Sequence, residues 1–273
     1  MRDFAKQGFL GAFAYTTEEF IDTLKLPVGP TYGVMVDAKT ILESGMSVEE
    51  AISKLFVPAV QSDLGLVRVA AHFSEVELSE PIVAYLKKLG YIVGFNLMQA
   101  GGKDDDVIAD KASEIAAWKD LDVLYFADSL GNMDGAEVQR VVKALRRNWN
   151  GPLGIHTHNN MGKGLDNTLT AIEAGVTWLD ATVTGMGRGA GNTQTECLLA
   201  CLDTGESKYK PKLIYELVIR HFEVMQKEYG WGSNLLYFLG AQSNVHPTYI
   251  QNLLSNTHYG TCLLYTSPSP RDS

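Results

Sequence analysis

The sequence predicts an α/β protein: a (β/α)8 barrel lacking its first two strands, followed by a small C-terminal helical region. Three observations predict it. Six near-continuously apolar segments alternate with helical ones, as parallel strands buried on both faces and joined by helices do. Polar and ionisable residues gather at the C-terminal ends of those strands, namely Asp37, Arg68, His72, Asn96, Gln99, Asp128, His156, His158, Asp180 and Thr182. That is the end at which a barrel keeps its chemistry. An open doubly wound sheet would favour a phosphate loop after its first strand, and none is visible near the N-terminus.

Taken in order, Thr16-Thr17-Glu18-Glu19 has the spacing of a capping box and opens a helix through about Leu24. Tyr32 to Ala38 is a buried strand, and Ser47 with Glu50 caps the next helix, through Phe56. Leu66 to His72 is a strand, followed by a helix from about Leu78 that stops at Gly90. Ile92 to Gln99 is a strand, with a helix from Asp105 to Lys119. Val123 to Ser129 is a strand, and Asp134 with Glu137 starts a helix ending near Asn148. A strand from Leu153 carries the histidines, and a helix from about Gly162 stops at Gly175. Trp178 to Gly185 is the last strand, after which Thr193 and Glu196 have capping-box spacing. From Lys210 helical spacing runs throughout, with aromatics among its apolar positions, the stripe of a packed core. His246-Pro247 marks a turn before a final helix.

Length and composition narrow the function. At 273 residues and 45% hydrophobic content the chain can bury a sizeable core. Lys+Arg 23 against Asp+Glu 32 gives a net charge of −9, the wrong sign for general nucleic-acid binding. No signal peptide and no membrane-spanning run is visible, and Cys197 and Cys201, four apart in a helical pattern, suggest a reduced, cytoplasmic protein. From about Thr261 the sequence TCLLYTSPSPRDS has no periodicity and resembles translated read-through of a sequencing adapter. Met1 opens directly into a loop-like stretch. Both ends are therefore expected to be cut. The expected divisions are a barrel over 1–209, a helical region over 210–260 and an artefactual tail over 261–273.

The stretch most suggestive of chemistry is LGIHTHNN, Leu153 to Asn160. Alternation along a strand puts His156 and His158 on one side, where two neutral imidazoles can hold a divalent ion. A bare His-x-His is also compatible with two ordinary histidines. Here the pair closes an apolar strand, Asn159 and Asn160 follow at once, and a glycine-rich loop ends the next strand. Glycines 185, 187, 189 and 191 superficially match a dinucleotide fingerprint, but they follow the last strand, so a loop closely approaching a metal is the better account.

LVRVAAH, FADSLGNMDG and the run from Gly154 to Glu196 together resemble the DRE-type metallolyase TIM barrels. That superfamily includes hydroxymethylglutaryl-CoA lyase, isopropylmalate synthase and 4-hydroxy-2-oxovalerate aldolase, and the order and spacing most resemble the aldolase branch. The resemblance implies that His156 and His158 bind the metal, with Asn192 beside or on it. It also implies an aspartate ligand and an enolate-stabilising arginine on a first strand that this chain lacks; Arg2-Asp3 reads instead as a loop. A tyrosine of the C-terminal helices, for which Tyr237 is the candidate, would assist as base. The implied reaction makes or breaks a carbon–carbon bond beside a 2-oxo acid through a pyruvate enolate, with Mn²⁺, Mg²⁺ or Co²⁺ as Lewis acid. Homo-oligomerisation or a partner dehydrogenase would fit the branch.

Other residues keep two readings each. Arg68 could meet a substrate carboxylate or pair inside the barrel mouth. Gln99 and Asn96 line the mouth as substrate-binding candidates, and Arg188 could contact an anionic substrate or be solvated. Three alternatives to the aldolase stand beside it: an acyl-CoA-dependent Claisen lyase or synthase, an inactive fragment or scaffold, and a Schiff-base aldolase using Lys39.

Overall fold

The computed structural model of the protein describes residues 1–4, 11–119, 121–205 and 210–255. The strands are β1 (Tyr32–Asp37), β2 (Leu64–Ala71), β3 (Ile92–Leu97), β4 (Val123–Asp128), β5 (Leu153–Thr157) and β6 (Trp178–Leu179). They form a six-stranded sheet in chain order, β1-β2-β3-β4-β5-β6, and β1 through β4 pair in parallel. The helices are α1 (Ala12–Tyr15), α2 (Glu18–Asp22), α3 (Ala38–Leu42), α4 (Val48–Leu55), α5 (Val76–Lys88), α6 (Asp105–Ala116), α7 (Gly135–Leu145), α8 (Gly164–Glu173), α9 (Thr195–Leu202), α10 (Lys212–Leu217), α11 (Glu223–Tyr229), α12 (Leu235–Gln242) and α13 (Pro247–Ser255). Among the described residues no helix is long and apolar enough to cross a membrane. The expected tail, 261–273, lies outside the described residues.

The chain divides into two compact units, residues 1–127 with 141–154, and residues 128–140 with 155–273. In the first, β1 to β3 read as continuous apolar runs because both of their faces are covered: Val36, Val67, Val69, Val93, Phe95 and Leu97 are fully buried. Each such side chain contributes about 1.5–3 kcal/mol on leaving water. Phe95 meets Trp118 edge to face at 4.9 Å. Ser47 and Glu50 form the capping box expected at α4, each side chain bonding the other's backbone N–H. Asp122 anchors the start of β3, its carboxylate accepting from the Val93 N–H at 2.7 Å and from Lys87 Nζ at 2.8 Å.

Two expectations at the N-terminus change. Thr17 caps α2, accepting from the Phe20 N–H, while Thr16 sits outside the helix at φ +20°. The Arg2-Asp3 stretch is not a free loop. Arg2 makes a parallel β-bridge with Val36, its N–H donating to Met35 O at 2.8 Å. Its buried guanidinium bonds Glu18 at 2.6 Å and the Leu55 carbonyl.

In the second unit β6 is far shorter than the strand expected over Trp178 to Gly185. After Leu179 the chain bends, and Val183–Gly185 forms a 3-10 turn with Thr184 at φ +53°. A β-branched residue in that region ends any strand. The Thr193–Glu196 pair is not a capping box either: Gln194 is the N-cap of α9 and Glu196 accepts from the Thr184 N–H at 3.0 Å. The C-terminal helical spacing is real but broken, at the left-handed Gly230 after α11 and again between α12 and α13.

Candidate functional site

β5 delivers the two histidines. Leu153 and Ile155 are buried, and strand alternation brings His156 and His158 to one side, their ring centroids 5.1 Å apart and their planes at 85°. Asp180 follows β6, its backbone N–H bonded to Ile155 O at 3.1 Å, which carries its carboxylate to His156. Asp180 Oδ2 lies 2.8 Å from His156 Nδ1. A carboxylate there holds the proton on Nδ1 and leaves the Nε2 lone pair free for an electrophile. His158 is 8% exposed, and its Nδ1 has no hydrogen-bond partner among the described residues. Burial first, then the neighbouring His156 and Arg188, push its pKa down to about 3, so this imidazole stays neutral.

The third candidate ligand comes from the glycine loop. Asn192 bridges His158 in antiparallel sense, is 7% exposed, and holds a buried Oδ1 with no partner among the described residues. Its backbone N–H donates to Gly185 O at 3.0 Å. The loop is fastened on both sides. The Asn159 N–H donates to Gly191 O at 2.8 Å, the Ala190 N–H to Asn160 Oδ1 at 3.1 Å, and Trp231 Nε1 to Thr184 O at 3.2 Å. Gly191 is required at φ +81°, because a Cβ there would lie 3.0 Å from the Gly185 carbonyl carbon and closer still to its oxygen.

Arg188 is an exposed residue of the same loop, with partial desolvation lowering its pKa. Tyr237 sits in the first turn of α12, whose cap Asn234 accepts from the Tyr237 N–H at 3.0 Å. Its ring lies 3.7 Å from where a Cβ on Gly189 would stand, and burial raises the phenol pKa. His156, His158, Arg188, Asn192 and Tyr237 therefore all belong to the second unit. Arg68, Asn96 and Gln99 belong to the first. There Arg68 stacks its guanidinium 3.8 Å from the Tyr125 ring centroid, Asn96 is 5% exposed with Oδ1 unpartnered among the described residues, and Gln99 is left-handed at φ +58°. Lys39, the Schiff-base candidate, is exposed and faces Glu43 at 3.7 Å.

Sequence reasoning placed Asp180 at a strand end without giving it a partner. The expected strand over Trp178 to Gly185 ran through it, and only the short β6 puts Asp180 one residue beyond a strand. Among the described residues no group of three His, Cys, Asp or Glu is placed to hold a metal ion. The donors present are two imidazoles and an amide oxygen. A buried, neutral His158 and a buried Asn192 oxygen without a partner suit a cation, which would satisfy the orphaned donor set.

This is an α/β chain with a six-stranded parallel sheet and a histidine pair at a strand end. The HMGL-like family matches residues 59–218, more than half of the chain, and the chain belongs to that family. A 4-hydroxy-2-oxovalerate aldolase from Pelotomaculum thermopropionicum is 40% identical over 145 residues, 53% of this chain and 42% of its own length. The chain spans about half the length of the curated relatives it matches. Among solved structures, the N-terminal domain of a presumed aldolase from Bacteroides vulgatus is similar with a TM-score of 0.81 and 26% identity, covering 94% of this chain and 83% of that one. The HMG-CoA lyase of Brucella melitensis, at 18% identity and a TM-score of 0.61 over 77% of this chain and 79% of its own, shares the fold.

Proposed function

We propose that the chain is the greater part of a divalent-metal-dependent aldolase that makes or breaks a carbon–carbon bond beside a 2-oxo acid, its six strands being consecutive strands of a (β/α)8 barrel with residues 210–260 as an appended helical region. The observation that carries the reading is the buried pair His158 and Asn192, bridged through their backbones, each holding an unpartnered polar atom beside a His156 already oriented by Asp180. The names of the curated relatives support the substrate class, a 4-hydroxy-2-oxo acid cleaved to pyruvate and an aldehyde.

In this reading His156, His158 and Asn192 hold the ion, Mn²⁺ before Mg²⁺ or Co²⁺. When bound, the ion supplies Lewis-acid stabilisation of negative charge on the 2-oxo oxygen. The chain's residues do the rest. Asp180 holds the His156 proton on Nδ1, which turns the Nε2 lone pair toward the ion. Burial keeps His158 uncharged down to acid pH. Arg188, exposed on the glycine loop, offers a cation for the substrate carboxylate. Tyr237, its phenol kept protonated by burial, would give that proton to the aldehyde oxygen as the carbon–carbon bond forms, and in the reverse direction its phenolate would take the 4-hydroxyl proton as the bond breaks.

The test is pyruvate release from 4-hydroxy-2-oxovalerate by the chain and by a longer gene product carrying it. Activity should disappear with EDTA, return with Mn²⁺, and be absent from His156→Ala and His158→Ala. Stoichiometric metal in the double variant would refute the ligand assignment. Turnover of hydroxymethylglutaryl-CoA and not of the oxo acid would refute the substrate class.

A further inference from the structure

Three threonine hydroxyls meet in the interior of the second unit. Thr157 lies between the two histidines, Thr193 follows Asn192, and Thr168 comes from α8. Thr157 Oγ1 is 2.6 Å from Thr193 Oγ1, Thr168 Oγ1 is 2.9 Å from Thr193 Oγ1, and the Thr157–Thr168 side closes at 3.2 Å. All three residues are buried, at 1%, 0% and 0% exposure. The Gly164 carbonyl terminates the triangle, accepting from Thr168 at 2.9 Å and from Thr157 at 3.4 Å. Gly164 is itself held, its N–H donating to Asn159 Oδ1 at 2.9 Å.

The proton count gives this cluster a direction. Three hydroxyls carry three protons, and every one must be spent where no water reaches. Thr168 gives its proton to the Gly164 carbonyl. Thr193 gives its proton to Thr157 or Thr168, and Thr157 closes the set toward Gly164 or Thr168. Each hydroxyl thus donates within the cluster, and loss of any one removes a hydrogen bond from a buried polar neighbour. A packed apolar contact would tolerate the two chain segments sliding past each other, whereas a triangle of hydrogen bonds does not. The segments it joins are the ones that carry His156, His158 and Asn192.

We propose that Thr157, Thr168 and Thr193 are positioning residues that set the separation between the two histidines and Asn192, so that cation affinity is controlled from a helix that carries none of the three. The inference rests on the metal assignment made above and adds to it where the control of that site resides. Thr168 is the informative vertex. It lies on α8, which carries no candidate ligand, and its hydroxyl reaches the ligand-bearing segments through Thr157 and Thr193.

The experiment titrates the full chain with Mn²⁺ and reads free Mn²⁺ by its electron paramagnetic resonance signal, beside thermal melts without metal. Thr168→Val, which keeps shape and removes the hydroxyl, should raise the Mn²⁺ Kd by roughly 10- to 100-fold, the size of effect that loss of a supporting partner has on metal sites. Thr168→Ser should restore affinity to within about threefold, because the hydroxyl returns. Thr193→Val and Thr193→Ser should repeat the pattern, and they keep the question answerable should Thr168→Val fail to fold. A Thr168→Val protein with wild-type Mn²⁺ affinity, or one that the serine variant does not rescue, overturns the positioning role. Wild-type protein that binds no Mn²⁺, or a His156→Ala/His158→Ala variant that binds as wild type does, overturns the metal assignment itself, and the proposal with it.

Discussion

Replacing Gly191 with alanine tests how the third candidate ligand is held. At φ +81° an L-residue bears about 1 kcal/mol of backbone strain. The added methyl would also overlap the Gly185 carbonyl oxygen, the acceptor for the Asn192 N–H at 3.0 Å. Relieving that overlap moves the carbonyl away and breaks the bond, leaving a buried donor unsatisfied at about 1–3 kcal/mol. The total is about 2–4 kcal/mol, or a fall in Tm of about 5–15 °C for a chain of this size. Gly162→Ala supplies the control: it has φ +75° and nothing within 4 Å of the new Cβ, so it bears strain alone, about 1 kcal/mol and about 2–4 °C. Paired thermal melts of the two variants without metal measure the difference. Mn²⁺ affinity should fall in Gly191→Ala only. Equal melting temperatures for the two would refute the claim that this loop is fixed by close backbone approach.

Three further outcomes are expected. Burial raises the Asp37 pKa above its ordinary 3.8, while its carboxylate caps α3 by accepting from the Lys39 N–H at 3.0 Å. Because the folded state disfavours the charge, Asp37 adds stability below pH 3.8 that is lost as pH rises through its folded pKa. Asp37→Asn keeps the cap, so denaturant melts should find it more stable than wild type at pH 7 and equal to it below pH 3.8. Asp122→Ala should lose about 2 kcal/mol in urea melts, since the Val93 N–H loses a charged acceptor, and Asp122→Asn should lose much less if the half-exposed Lys87 pair contributes as little as such pairs do. Arg188→Ala should raise KM for the oxo acid by about 10- to 100-fold at constant kcat and unchanged Tm, and a drop in kcat alone would move Arg188 from binding to chemistry.

Much of the fold was legible because its signals are local and repeated. Continuous apolar runs marked all six strands, and the Ser47–Glu50 box and Asp134, which accepts from the Glu137 N–H at 3.0 Å, marked helix starts. The two capping-box errors have one cause. A Thr-x-x-Glu spacing is necessary for a capping box but not sufficient, since a hydroxyl takes whichever partner the tertiary structure offers. Thr193 finds Thr157 and Thr168 in the interior, and Glu196 reaches back to Thr184. Thr16 fails in the same way, its hydroxyl turned to the Phe13 carbonyl at 2.9 Å. β6 was overextended because Ala181-Thr182-Val183-Thr184 has strand composition, and nothing local announces that Thr184 will be left-handed. The Arg2 bridge to Val36 pairs residues far apart in sequence, which no local pattern reveals.

The same distinction separates what the histidine strand could state from what the site needs. Period-two alternation puts two imidazoles on one side, but it leaves the rotation of each ring open. In the folded chain each ring is settled differently. His156 is turned by a carboxylate arriving from beyond β6, a polar constraint that a single substitution removes. His158 is settled by burial and by its backbone pairing with Asn192, constraints spread over many atoms. The two should therefore respond unlike one another to change around them. Loss of the Asp180 carboxylate frees one ring while the other stays neutral and fixed, whereas displacement of the glycine loop moves His158 and Asn192 together. A site assembled this way keeps one adjustable candidate ligand and one rigid pair, and the rigid pair is the part the fold itself specifies.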